Sequence, residues 1–141
     1  MKIKTENGKE YIFDVVRKKY IQNLPEEWVR QNMIHYLNKE KGYPISLMSI
    51  ESSNKLHEIN HRCDIICNDK NGNPLILVEC KSQKTIINKK AFNQILNYQR
   101  KVKASHMLIT NGINHFCFKT LNNKTIFLKS IPNYKELANT V

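Results

Sequence analysis

Long apolar runs are missing from this sequence, and no stretch approaches the roughly 20 apolar residues of a membrane-spanning helix. No membrane role is expected. The opening, MKIKTENGKEYIF, carries neither an apolar h-region nor a small-residue cleavage site, so no secretory signal is expected either. Glycine and proline are scarce, at four each, and there are no repeats or low-complexity tracts, which excludes fibrous and disordered classes. The four cysteines, Cys63, Cys67, Cys80 and Cys117, form no Cys-x-x-Cys pair, which argues against a zinc knuckle. Three of them lie in apolar, strand-like runs, where free buried thiols usually sit. A reduced, cytoplasmic protein without a structural metal is the expectation. Acids are also few, at 12 against 23 basic residues, for a net charge of +11. Such an excess attracts a polyanionic partner such as nucleic acid, although a lysine-rich proteome would produce the same number without one.

What is present reads as one domain. At 141 residues with 40% hydrophobic composition, the chain can bury a core without covalent staples. KIKTENGKEYIFDVV is hairpin-like, with Asn7-Gly8 as its turn. RKKYIQNL leads to Pro25, which suits the first position of a helix. That helix, PEEWVRQNMIHYLNKEKG, sets Val29, Met33, Tyr36 and Leu37 on one face and stops at Gly42. PISLMSIES reads as a strand, SNKLHEINH as a polar loop, and RCDIICND and PLILVECKS as two strands joined by KNGN. Residues 88–103 form a second helix with Phe92, Ile95, Leu96 and Gln99 near one side. SHMLITNG is a strand closed by a turn, HFCFKTLNNKTIFLKSI a final hairpin, and the last ten residues a loose tail or short helix. Helices interleaved with strands imply a layered α/β arrangement with a mixed sheet.

The stretch LILVECKS carries the chemistry. Its aliphatic run, Leu75 to Val78, reads as the interior of a buried strand, yet it ends in Glu79, Cys80 and Lys81. If Asn71-Gly72 is a two-residue type I′ turn, Asp64 falls directly opposite Glu79. Strand parity then puts Lys81 on their face, with Cys63 and Cys80 on the other. Like charges opposed across two strands, with Cβ atoms about 5 Å apart, destabilise the pair. A divalent cation offsets them, since Mg²⁺ binds through one or two carboxylates and keeps water in the rest of its shell. Lys81 is then placed to orient or help deprotonate an attacking water, which makes a hydrolytic site for a phosphodiester. The plainer alternative is a strand-end ion pair between Glu79 and Lys81, of small worth. The register is the deciding point, because a three-residue bulged loop would shift it by one and turn Asp64 to the wrong face.

RCDIICNDKNGNPLILVECKS resembles the D-(x)n-E-x-K signature of the PD-(D/E)xK nuclease superfamily. With RKKYIQNLPEEWVRQ, EKGYP, CDI, LVECK, Q-x-x-x-Y and ITNG in order, the chain from about Arg17 to Cys117 resembles the N-terminal nuclease domain of type I restriction enzyme R subunits, especially its short stand-alone relatives. The resemblance implies a restriction-endonuclease-like fold: a mixed β-sheet flanked by helices around an α-β-β-β-α-β core. It also implies one nuclease-like domain over 1–141, with an N-terminal extension (1–22), the core (23–118) and a C-terminal hairpin and tail (119–141). It gives Asp64 and Glu79 as metal ligands with the Cys80 backbone carbonyl, and Lys81 as the catalytic lysine. Cys63 stands where the family usually has proline.

Similar proteins carry a glutamate on the first helix that reaches the metal site. At 100° per residue Glu26 lines up with Val29, Met33 and Leu37, whereas Glu27 turns aside, so Glu26 is the expected catalytic acid. Glu27 is expected to serve only the helix dipole. Gln94 and Tyr98 match Q-x-x-x-Y, a pair that contacts DNA beside the active site in the related recombination-type exonucleases; a half-buried helix edge is an equal alternative. Lys84, Lys89 and Lys90 flank the site in sequence and are candidate phosphate contacts, although any one of them is more simply solvated. The five histidines form no metal-ligand spacing.

The expected function is an Mg²⁺-dependent deoxyribonuclease, with Mn²⁺ chemically acceptable. DNA is the expected partner, RNA a third reading, and the resemblance admits a homodimer or a larger restriction or repair complex. The alternative is a non-cleaving DNA-binding module or a partner-dependent subunit, because in the resembled enzymes a motor domain follows the nuclease and this sequence stops at Val141.

Overall fold

In a computed structural model describing residues 1–50 and 65–138, apart from the side chains of Tyr98 and Lys101, two left-handed residues make the first turn. Asn7 and Gly8, with φ of 52° and 76°, join β1 (Ile3–Glu6) to β2 (Lys9–Asp14), the type I′ geometry that Asn-Gly favours. A third strand, β3 (Lys19–Gln22), completes a three-stranded antiparallel sheet. RKKYIQNL, expected only as a lead-in to the helix, contributes this strand.

The helix α1 runs from Pro25 to Lys41. Proline at its start lacks the N–H that a helix cannot use there, and Gly42 ends it in the left-handed conformation at φ 77°. A short 3-10 turn at Ile45–Leu47 follows, where an extended run was expected, and then β4 (Met48–Ile50). β5 (Ile65–Asn68) and β6 (Pro74–Cys80) are antiparallel. α2 (Lys89–Val102) crosses over to β7 (His106–Thr110), which lies parallel to β6. β8 (His115–Leu121) and β9 (Lys124–Leu128) extend the sheet as a hairpin, and α3 (Tyr134–Ala138) closes the described chain. The large sheet has six strands in the order β4-β5-β6-β7-β8-β9, so α1, β4, β5, β6, α2 and β7 form the α-β-β-β-α-β core of a restriction-endonuclease-like mixed α/β fold.

Strand alternation divides the core into two layers. Ile65, Cys67, Ile76, Val78, Cys80 and Leu108 face α1 and pack with Val29, Met33, Ile34 and Leu37. Ile66, Leu77, Met107, Ile109 and Phe118 face α2 and pack with Ile95, Phe92 and Leu96. Tyr36, expected on the inward face of α1, is exposed instead. The three described cysteines are free and buried. Burial pushes the thiols of Cys67 and Cys117 up to about 12 and about 11, so both stay protonated and unreactive near neutral pH.

The β5–β6 connection corrects one expectation and keeps its consequence. Asn71-Gly72 is not a two-residue turn. Asp69 organises a longer loop: its Oδ1 accepts from the N–H groups of Asn71 and Asn73 at 2.8 and 2.9 Å, and its carbonyl accepts from Gly72 at 3.1 Å. This leaves Asn68 opposite Pro74, one residue out of the expected register. A β-bulge between Cys67 and Asn68 then takes up the extra residue. Cys67↔Ile76, Ile66↔Leu77 and Ile65↔Val78 pair as a two-residue turn would have paired them.

Candidate active site

Glu79 lies on β6 and alternates with Val78 and Cys80, so it points to the α2 face of the sheet although a run of aliphatic residues precedes it. It is 6% exposed. Lys81 follows the strand, and its N–H donates to the Thr110 carbonyl at 2.8 Å, prolonging the β6–β7 pairing by one residue. On the shared face the Lys81 ammonium stands 3.1 Å from Glu79 Oε2. The same Nζ donates a long hydrogen bond of 3.5 Å to Gln94 Oε1 on α2. An acid from the sheet, a base from the strand end and an amide from the crossover helix therefore meet at the C-terminal end of the central strand β6. Cys80 points into the α1 layer, leaving only its backbone for a role here.

Not every expected residue joins this cluster. Glu26 is exposed and Glu27 buried, the reverse of the expected arrangement. The reason is a second covering surface. Val15 and Val16 pack against the α1 layer, and the adjoining Arg17 reaches the Glu27 carboxylate at 3.4 Å. Arg30 donates to Glu27 Oε1 and Gln31 to Oε2 at 3.1 Å. Arg17 also pairs with buried Asp14, whose Oδ1 accepts from the N–H groups of Val16 and Arg17 at 2.9 and 3.1 Å. Burial pushes the Asp14 carboxyl up, but its hydrogen bonds to Arg17 and Val16 outweigh this and hold it below its ordinary value. The network ties the N-terminal sheet to α1. Glu27, Arg30 and Gln31 at i, i+3 and i+4 share one helix stripe, and that spacing was the signal in the sequence for a buried polar face.

Lys84, Lys89 and Lys90 are exposed on the loop after Lys81 and the first turn of α2. Tyr98 lies on α2 one turn beyond Gln94, and its side chain is outside the description. Asp64, the acid expected opposite Glu79, lies outside the described residues; the last described pair before it is Ile65↔Val78. Among the described residues no three His, Cys, Asp or Glu side chains cluster as a metal site. The donor chemistry still suits a hard divalent ion, since Glu79 presents a buried carboxylate at a strand end.

Asn111 is a positioning residue not expected from the sequence. The ITNG turn was expected simply to close a strand. In the structure Asn111 Oδ1 accepts from the N–H groups of Ile113 and Asn114 at 2.9 and 2.7 Å, while its Nδ2 donates to the Thr85 carbonyl at 3.0 Å. Thr85 is in turn held to Ser82 through backbone and hydroxyl bonds of 2.9 Å each. The loop leaving Lys81 is thereby pinned to the β7–β8 turn. Gly112, at φ 89°, approaches Val29 of α1 so closely that an added Cβ would sit 3.4 Å from its Cγ2.

No helix among the described residues is long and apolar enough to cross a membrane. No curated protein matches the chain in sequence. The sequence pattern described as type I restriction enzyme R protein N terminus matches residues 25–132, which takes in α1, the whole six-stranded sheet and α2. The chain belongs to the family of type I restriction enzyme R protein N-terminal domains.

Proposed function

We propose that the protein is a metal-dependent deoxyribonuclease that hydrolyses phosphodiester bonds at the Glu79–Lys81 end of β6. The observation that carries this reading is the buried Glu79 carboxylate, 3.1 Å from an ammonium that Gln94 also contacts. A core strand has no packing reason to end in such a pair, and burying a carboxylate is costly unless its charge has a use.

In this reading Glu79, Asp64 and the Cys80 backbone carbonyl hold Mg²⁺ or Mn²⁺. An ion held there would supply Lewis-acid chemistry toward the phosphate. Lys81, as an ammonium, would orient the attacking water and donate to the negative charge that develops on the phosphate, and Gln94 restrains it for that task. Asn111 fixes the loop that leaves Lys81. Exposed Lys84, Lys89 and Lys90 contact phosphates, and Tyr98, further along α2, contacts DNA with Gln94. The partner is DNA, engaged by a homodimer or within a restriction or repair complex.

Cleavage of supercoiled and linear DNA with Mg²⁺ or Mn²⁺, comparing wild type with Glu79→Ala and Lys81→Ala, tests the proposal. Metal-dependent cutting that both variants lose is the expected result, and the two substrates separate nicking from digestion of ends. A folded wild type that binds DNA and cuts neither form would overturn it in favour of a binding module.

A further inference from the structure

From Lys81 to Lys135, both included, the sequence contains eleven lysines and arginines and no aspartate or glutamate. The rest of the chain balances, with twelve basic residues against twelve acids, so this one segment carries the entire net charge of +11. It builds α2, β7, β8 and β9. On the α2 face of that half an open groove of about 240 Å³ is lined by Ile87, Lys89, Phe92, Ile109, Phe116 and Phe127. Phe116 and Phe127 are 45% and 60% exposed, unusual for large aromatic rings with a core so near. Phe127 lies nearly parallel to Phe92 at 5.5 Å and also touches Phe118, so its ring is held from behind while its outer face is open.

The groove continues the site sideways along the sheet. Glu79 pairs with Ile109 on β7, and Ile109 pairs with Phe116 on β8, so the three side chains stand in a row on one face. With neighbouring strands about 4.8 Å apart, Phe116 sits about 10 Å from Glu79. That distance is within reach of the nucleotides next to the one being cut.

Resting on the nuclease reading, we infer that this groove is a base-stacking subsite for unpaired nucleotides, and that the preferred substrate has a single-stranded or frayed segment. Aromatic faces stack any base, and basic residues beside them track the backbone. Lys89 in the groove and Lys90 next to it supply the charge, and the absence of carboxylates in this half leaves nothing to repel phosphates. A duplex hides the faces of its bases, so only an unpaired strand gains from the exposed rings.

The test is binding of labelled single-stranded oligothymidylate, and of a blunt duplex of equal length, in a chelator so that nothing is cut. The proteins are wild type, Phe116→Leu/Phe127→Leu and Glu79→Ala. Leucine keeps the apolar bulk and removes the stacking face, and circular dichroism confirms that each variant is folded. The wild type is expected to favour the single strand, and the double leucine variant to lose about ten-fold or more of that affinity while its duplex binding stays within about two-fold. Unchanged single-strand binding in that variant would overturn the subsite and leave an apolar protein segment as the groove's occupant. A wild type that does not bind the single strand would overturn it equally. Failure of the nuclease reading is separately visible: the Phe variants would weaken binding while the wild type cuts nothing with metal restored.

Discussion

Two buried glutamates, Glu27 on α1 and Glu79 on β6, are equally hidden from solvent at 6% exposure each, yet their surroundings differ. Glu27 sits among Arg17, Arg30 and Gln31, with both carboxylate oxygens accepting hydrogen bonds from side chains that belong to the scaffold. Glu79 stands at the end of β6 beside Lys81, whose side chain is 20% exposed. The first arrangement spends its charge holding the N-terminal sheet to the helix. The second keeps acid and base together where solvent and a ligand can reach the base. Burial alone therefore does not mark a catalytic carboxylate; what its partners are attached to does.

This contrast can be broken at either end. The largest expected effect is on activity: Lys81→Ala should lower the cleavage rate by about 10²–10³-fold, the usual range for losing a donor that stabilises developing charge. Urea unfolding should shift less than in Glu27→Gln, because the Lys81 side chain is part-exposed and water can replace it beside Glu79. Loss of stability matching the loss of rate would make Lys81 a scaffold residue like Arg30. Glu27→Gln should do the opposite, costing about 3–5 kcal/mol in urea unfolding by removing the buried anion beside Arg30, while Arg17 keeps Asp14. If the variant remains folded, its cleavage should persist.

Smaller effects sharpen the same line. Asn111→Ala should cost about 0.5–1.5 kcal/mol through its lost hydrogen bonds to Ile113, Asn114 and Thr85, and should also slow cleavage by loosening the loop that follows Lys81. A slowed rate with unchanged substrate affinity would separate positioning from binding. Asp14 contributes through pH. Its folded-state carboxyl titrates below the ordinary value of 3.8, so its stabilisation is present above that value and fades as the pH falls through the folded one. Asp14→Asn should therefore narrow the stability gap to wild type as solutions are acidified below about pH 4. A gap independent of pH would remove the carboxylate from the latch.

Much of this was legible in the sequence, and the failures have a common physical origin. The bounds of α1 followed from Pro25 and Gly42 because proline and glycine act through their own backbone. The shared face of Glu79 and Lys81 followed from strand parity, which holds along β6 because the bulge falls on β5. Val29, Met33 and Leu37 face inward as expected, but the buried acid of α1 did not follow, because a helical wheel assumes one covering surface and the N-terminal segment supplies a second. Arg17 decides that Glu27 is the buried acid, and it reaches that acid from ten residues away along the chain. The β5–β6 register came out as expected for an unexpected reason: Asp69 builds a longer loop and a bulge compensates for it. Asn111 was hidden because a turn sequence does not reveal that its side chain also holds a distant loop.

The most direct test of the central claim is titration of Mn²⁺ into the wild type, Glu79→Gln and Glu27→Gln by calorimetry, without nucleic acid. The account predicts that the wild type binds the ion, that Glu79→Gln abolishes binding, and that folded Glu27→Gln retains it. Undiminished Mn²⁺ binding by Glu79→Gln, or its loss only in Glu27→Gln, would contradict the assignment of Glu79 as the carboxylate that holds the metal.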